Sequence, residues 1–174
     1  MKQKLILAAV LASSILTLDV FTKRWALDAL AHGVTVEAAG VPLTLAYNTG
    51  IAFGLDVPQA GRWILIAASI FVVVMLAGMF RQSRPGDWFR LSSLSLVAAG
   101  AVGNLIDRVR WDRGVVDFIG PIDLGFMLWP IFNVADMAIT VGAIALGLSL
   151  WREGATAQTR AEAETTGELG KAVD

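Results

Sequence analysis

The chain has 174 residues, 56% of them hydrophobic and 17% charged, with a mean hydropathy of +0.64 and a net charge of −1. One domain's length with that apolar excess points away from an ordinary soluble domain, and the balanced charge offers no basic surface to nucleic acid. Cysteine is absent and His32 is the one histidine, so disulfides and thiol chemistry are excluded, and the usual Cys and His ligands of zinc are almost wholly missing; no metal or cofactor is expected.

Taken in order, Leu5 to Leu18 is an unbroken apolar or small run that, with Asp19, Val20 and Phe21, approaches the roughly 20 residues a helix needs to cross a bilayer. Lys2 and Lys4 precede it, as in a cleaved signal peptide. However, the run ends in Asp19 and then Lys23-Arg24-Trp25, and the nearest Ala-x-Ala pattern, Ala29-Leu30-Ala31, lies too far past the core, so a retained first helix is expected. Asp19 and Lys23 are one helical turn apart and read as a structural ion pair at the interface.

From Gly33 to Tyr47 apolar and polar residues alternate around Ala39-Gly40, which suggests two short strands and a turn lying outside the hydrocarbon. Asn48-Thr49-Gly50-Ile51-Ala52-Phe53-Gly54 follows. Its two glycines permit tight backbone geometry, and it reads either as a bland turn or as a loop gripping an extended peptide. Trp63 to Phe80 is an uncharged second span. Leu91 to Ile106, rich in Ser, Ala and Gly, is a third span suited to close helix packing, with its serines returning hydroxyls to their own backbone. Phe132 to Trp151 is the fourth. Residues 1–152 thus form one membrane-embedded domain, and the polar residues 153–174 a mobile or loosely helical tail. With four spans both termini share a side; eight Lys and Arg lie on that side against six on the other, which favours cytoplasmic termini.

The polar residues that interrupt the apolar pattern concentrate between Gly103 and Asp136. Charges beside lipid are costly and point to function. Asn104, Asp107 and Arg108 share a helix face; Asp107 and Arg108 diverge, so each needs a further partner. Asp117 sits in the apolar extended run Val115–Ile119. Asp136 follows Asn133 by three residues, the spacing of an N-cap and a third helical residue. A helix N-terminus favours an ionised carboxylate, and apolar surroundings favour a neutral one, so the two can share a proton and work on water as acid and base. Two aspartates on their own equally suit a proton-coupled transporter, a metal site or an assembly protein that uses carboxylates for packing. Asp112 and Asp123 read as solvated loop residues. Phe53 and Trp111 read as interfacial anchors or as apolar contacts for a substrate.

Four motifs in order resemble the lipoprotein signal peptidase (signal peptidase II) family of bacterial membrane aspartyl peptidases: Asp19-Val20-Phe21-Thr22-Lys23; Asn48-Thr49-Gly50-Ile51-Ala52-Phe53; Gly103-Asn104-Leu105-Ile106-Asp107-Arg108 leading to Val115-Val116-Asp117-Phe118; and Phe132-Asn133-Val134-Ala135-Asp136. The resemblance spans about residues 5–152. It implies an all-α membrane protein of the inner (cytoplasmic) membrane, with four transmembrane helices and a small periplasmic β-sheet between helices 1 and 2. It implies cleavage just before the diacylglyceryl-modified cysteine of a prolipoprotein, near the periplasmic face, by Asp117 and Asp136. Asn48, Gly50, Asn104, Arg108 and Asn133 are then expected to bind substrate or support the dyad, with Asp19, Lys23 and Asp107 structural. Besides that substrate and membrane lipid no partner is expected, the enzyme is expected to be a monomer, and globomycin-type inhibitors are expected to block it. The segment Val109–Gly114 departs from the family pattern in being slightly long and highly charged.

Overall fold

The computed structural model describes residues 2–50 and 59–171. Its four long helices are α1 (Lys2–Ala29), α2 (Gln59–Gln82), α3 (Trp88–Arg110) and α4 (Val134–Lys171), each containing a stretch long and apolar enough to span a bilayer. All four run past the apolar stretch that betrays them. The 28 residues of α1 extend about 42 Å at 1.5 Å per residue, longer than the ~30 Å of hydrocarbon it has to cross. Residues 153–171 continue α4 as helix.

Helix α3 is the centre of the bundle. Half of its spanning residues are buried, against 6%, 11% and 22% in α1, α2 and α4, and it packs on all three. Its glycines allow this. A Cβ at Gly100 would stand 2.3 Å from the Ala135 carbonyl oxygen, and one at Gly103 would stand 2.9 Å from Asp19 Oδ2 and 3.2 Å from Ala135 Cβ. Close helix approach through small residues is the usual basis of packing in lipid, where water does not drive helices together. The serines stay local: Ser93 and Ser95 donate to the carbonyls of Phe89 and Leu91, one turn back. At one end of the bundle, Lys4 donates to the Ser83 carbonyl and Arg90 binds the Glu153 carboxylate at 2.5 and 2.6 Å.

The opposite end carries the sheet. Strands β1 (Thr35–Ala38) and β2 (Val41–Asn48) form the expected hairpin, turning through Ala39 and Gly40, both at positive φ. A third strand, β3 (Val115–Ile119), joins from between α3 and α4 and pairs antiparallel with β2, matching Asn48 with Val115 and Ala46 with Asp117. A second hairpin follows, β4 (Ile122–Asp123) with β5 (Leu128–Trp129). Phe118 packs with Ala26 and Leu30 at the end of α1, and Leu43, Leu45, Ile119 and Val134 close around them, which seats the sheet on the bundle.

Candidate active site

Phe132 brings the two ends of the polar stretch together. Its carbonyl accepts from the Phe118 and Ile119 amides at 3.0 and 2.9 Å, and its own amide donates to the Ile119 carbonyl at 3.0 Å. This pins the start of α4 against β3, so Asn133 and Asp136 arrive beside Asp117.

Asn133 is the N-cap of α4. Its Oδ1 accepts from the Asp136 amide at 2.9 Å, and Asp136 Oδ2 accepts from the Asn133 amide at 3.2 Å. This reciprocal capping box satisfies two amides that a helix start leaves without partners. A third is taken from outside, since Asp19 Oδ1, on α1, accepts from the Ala135 amide at 3.0 Å. The cap and the site share atoms. Asn133 Nδ2 also donates to Asp117 Oδ1 at 2.6 Å, to Asn104 Oδ1 at 3.1 Å and to the Val116 carbonyl at 3.3 Å.

Asp117 is 2% exposed and Asn133 fully buried, while Asp136 is only half-buried and so marks the open side. Asp117 Oδ2 accepts from Asn48 Nδ2 at 3.2 Å, and Asp136 Oδ1 accepts from Asn104 Nδ2 at 2.7 Å. The Gly50 amide donates to Asn48 Oδ1 at 3.2 Å, which fixes the Asn48 amide with its NH₂ toward the carboxylate. Burial pushes the Asp117 carboxyl up to about 7, and the neighbouring Asp136 adds to the rise. Hydrogen bonds from Asn48 and Asn133 and the Lys23 charge pull the other way without cancelling it.

Arg108 stands within electrostatic reach of Asp136, Asp117 and Asp107, and its Nε is buried without a hydrogen-bond partner among the described residues. Asp107 turns away, as its adjacency to Arg108 required. It pairs with Lys23 at 2.8 Å and accepts from the Val116 amide at 3.3 Å. Asp19 pairs with Lys23 at 2.8 Å, as the one-turn spacing predicts, but deep inside the bundle rather than at a wet interface. Asp112 is exposed and pairs with Arg62, and Asp123 is exposed, accepting from the Gly125 amide at 2.7 Å. Trp111 carries the Arg113 guanidinium 4.2 Å above its ring, and Phe53 lies outside the described residues.

Two positions that support the site carry little sequence signal. Gly114 has φ +90°, and a Cβ there would stand 2.2 Å from the Asn48 carbonyl oxygen, so only glycine lets β3 start against the end of β2. Arg62 donates to the Arg108 and Val109 carbonyls at 2.7 and 3.0 Å and so closes the last turn of α3 below Arg108. A glycine after a charged loop hints at the first; nothing local announces the second.

The profile of the family described as Signal peptidase (SPase) II matches residues 11–152 of this chain. The lipoprotein signal peptidase of Oleidesulfovibrio alaskensis is 32% identical over 158 residues, covering 87% of this chain and 99% of that protein. The lipoprotein signal peptidase of Pelodictyon phaeoclathratiforme is 39% identical over 142 residues, with 76% and 82% covered. A solved bacterial membrane enzyme, determined by the in meso method at 2.3 Å resolution, is similar with a TM-score of 0.76 at 28% identity, over 86% of this chain and 90% of that one.

Proposed function

This chain belongs to the signal peptidase II family, and on that premise we propose that Asp117 and Asp136 are the carboxyl pair with which it cuts. It is an aspartic endopeptidase of the membrane, spanning it four times, and it hydrolyses the peptide bond before the diacylglyceryl-modified cysteine of bacterial prolipoproteins. The relatives are peptidases, which leaves the transporter and assembly readings without support.

One observation carries the assignment. Two carboxyls from different elements are held by the same asparagine, and one of them is raised to about 7. Such a pair keeps one proton between its members near neutral pH. The ionised Asp136 takes a proton from water, whose oxygen attacks the scissile carbonyl carbon, while Asp117 gives its proton to the carbonyl oxygen. The tetrahedral diol then returns a proton to Asp117 as the C–N bond breaks, and Asp136 passes its proton to the leaving amine of the modified cysteine. The new carboxyl ends the signal peptide. Asn48, Asn104 and Asn133 hold the two carboxyls by neutral hydrogen bonds. Gly50 holds Asn48, and the unpaired edge of Arg108 is left to receive a substrate carbonyl.

Both termini lie in the cytoplasm and the site near the periplasmic face; the excess of lysine and arginine at the termini end supports this orientation. Residues 1–152 carry the activity, residues 153–174 are a cytoplasmic tail, and the enzyme works as a monomer. Replacing Asp117 or Asp136 singly with Asn tests the assignment on a lipidated precursor peptide in detergent. Each loses cleavage by about a thousand-fold or more, and a chelator has no effect. Cleavage near the wild-type rate in either variant contradicts it.

A further inference from the structure

We propose that Lys23 is a positioning residue for this reaction: it fixes which way round the Asn104 amide stands, and through it the Asp136 carboxylate. This rests on the reading of Asp117 and Asp136 as the working pair. Lys23 is 4% exposed and touches neither of them. An ammonium has three hydrogens and no acceptor. Three acceptors surround this one: Asp19 Oδ2 at 2.8 Å, Asp107 Oδ2 at 2.8 Å and Asn104 Oδ1 at 3.2 Å. The two carboxylates satisfy the charge, while the third contact goes to a neutral amide whose other end reaches the site.

That third contact decides an orientation. Asn104 Oδ1 receives hydrogens from Lys23 Nζ and from Asn133 Nδ2 at 3.1 Å, both of them pure donors. Asn104 Nδ2 faces Asp136 Oδ1 at 2.7 Å, a pure acceptor when ionised. Turned over, the amide would set its NH₂ against an ammonium and a second NH₂, and its oxygen against a carboxylate. Without Lys23, Asn133 is left as the donor opposing that reversal, and Asn133 Nδ2 already shares two hydrogens among three acceptors. The position of Lys23 is itself fixed, because Asp19 is anchored to the Ala135 amide and Asp107 to the Val116 amide. The cluster therefore ties α1, α3, β3 and α4 together and delivers one directed hydrogen bond to Asp136.

Lys23→Met separates this role from a merely structural one when combined with Asn104→Ala in a double-mutant cycle. A lysine acting through Asn104 lowers kcat about ten- to hundred-fold with KM little changed, and adds nothing further once Asn104 is alanine. The alkaline limb of the pH–rate profile moves upward in Lys23→Met. Asp117 is faced by Asp136 of α4 and its N-cap Asn133, Arg108 of α3, Asn48 of β2 and Lys23 of α1, with Asp107 of α3 paired to Lys23, and the change withdraws a cation from that set. Where Lys23→Met fails to fold, the neutral triple variant Asp19→Asn, Lys23→Met, Asp107→Asn leaves no unpaired buried charge and carries the same cycle. An unchanged kcat, or losses that multiply across the cycle, overturns the proposal. Near-wild-type cleavage by Asp117→Asn or Asp136→Asn instead overturns the dyad on which it stands.

Discussion

Two pairs of aspartates stand within a few side chains of each other at the sheet end of the bundle, and they are held by opposite means. Asp19 and Asp107 close on one ammonium, that of Lys23, at 2.8 Å each. Asp117 and Asp136 are held by Asn48, Asn104 and Asn133, and among the described residues neither accepts a hydrogen bond from a cation. A lysine gripped by two carboxylates ties the elements that carry them together, which makes a joint. Amides fix position and leave charge free, which lets a proton pass in and out. On the proposed assignment, the same residue type serves as brace in one cluster and as tool in the other, according to what donates to it.

Stability separates the two clusters first. Asp19→Ala strands part of the Lys23 charge and uncaps the Ala135 amide, so it should cost about 3–5 kcal/mol, read as a large fall in unfolding temperature in detergent. Asp117→Asn should do the reverse at alkaline pH. The folded-state value of Asp117 is raised from 3.8 to about 7, so the stability it contributes is complete below about 3.8 and is lost as pH rises through about 7. Above that, the Asn variant should unfold at a higher temperature than the parent, with the difference shrinking steadily on acidification and vanishing below about pH 3.8. Gly114→Ala comes next. It meets the Asn48 carbonyl and a left-handed backbone together, and should lower both stability, by about 2–4 kcal/mol, and cleavage. Asn48→Ala sharpens the picture with a smaller effect. Loss of one hydrogen bond lets Asp117 rise further, so kcat falls about ten-fold and the alkaline limb moves up, as stopped assays across pH would show. Removal of residues 157–174, beyond the Arg90–Glu153 pair, should leave turnover unchanged.

Much of this was legible in the residues. Four apolar runs located the spans, alternation around Ala39-Gly40 located the hairpin, and the three-residue spacing of Asn133 and Asp136 located the cap. What escaped is what depends on distant pairing. The resemblance pointed to Asn48, but its surroundings did not: it reaches Asp117 because β2 and β3 pair across 69 residues of sequence, and local pattern has no term for that register. Val115–Ile119 reads only as an extended run until a partner strand is supplied. Asp19 and Lys23 read as interfacial because the apolar run ends at them, whereas the close approach of α3 and α4 buries both. The Arg62 clasp on the end of α3 was invisible, since its acceptors are backbone carbonyls.

On the proposed assignment, Asp117 and Asp136 hold one proton between them and split water with it. The pH dependence of kcat/KM for a lipidated precursor peptide, followed from about pH 5 to about pH 9 in one detergent, tests it most directly. The expected rate falls as pH rises through about 7, where Asp117 surrenders the proton it donates. A rate that climbs steadily across that range, as attack by free hydroxide between two ionised carboxylates would give, contradicts it.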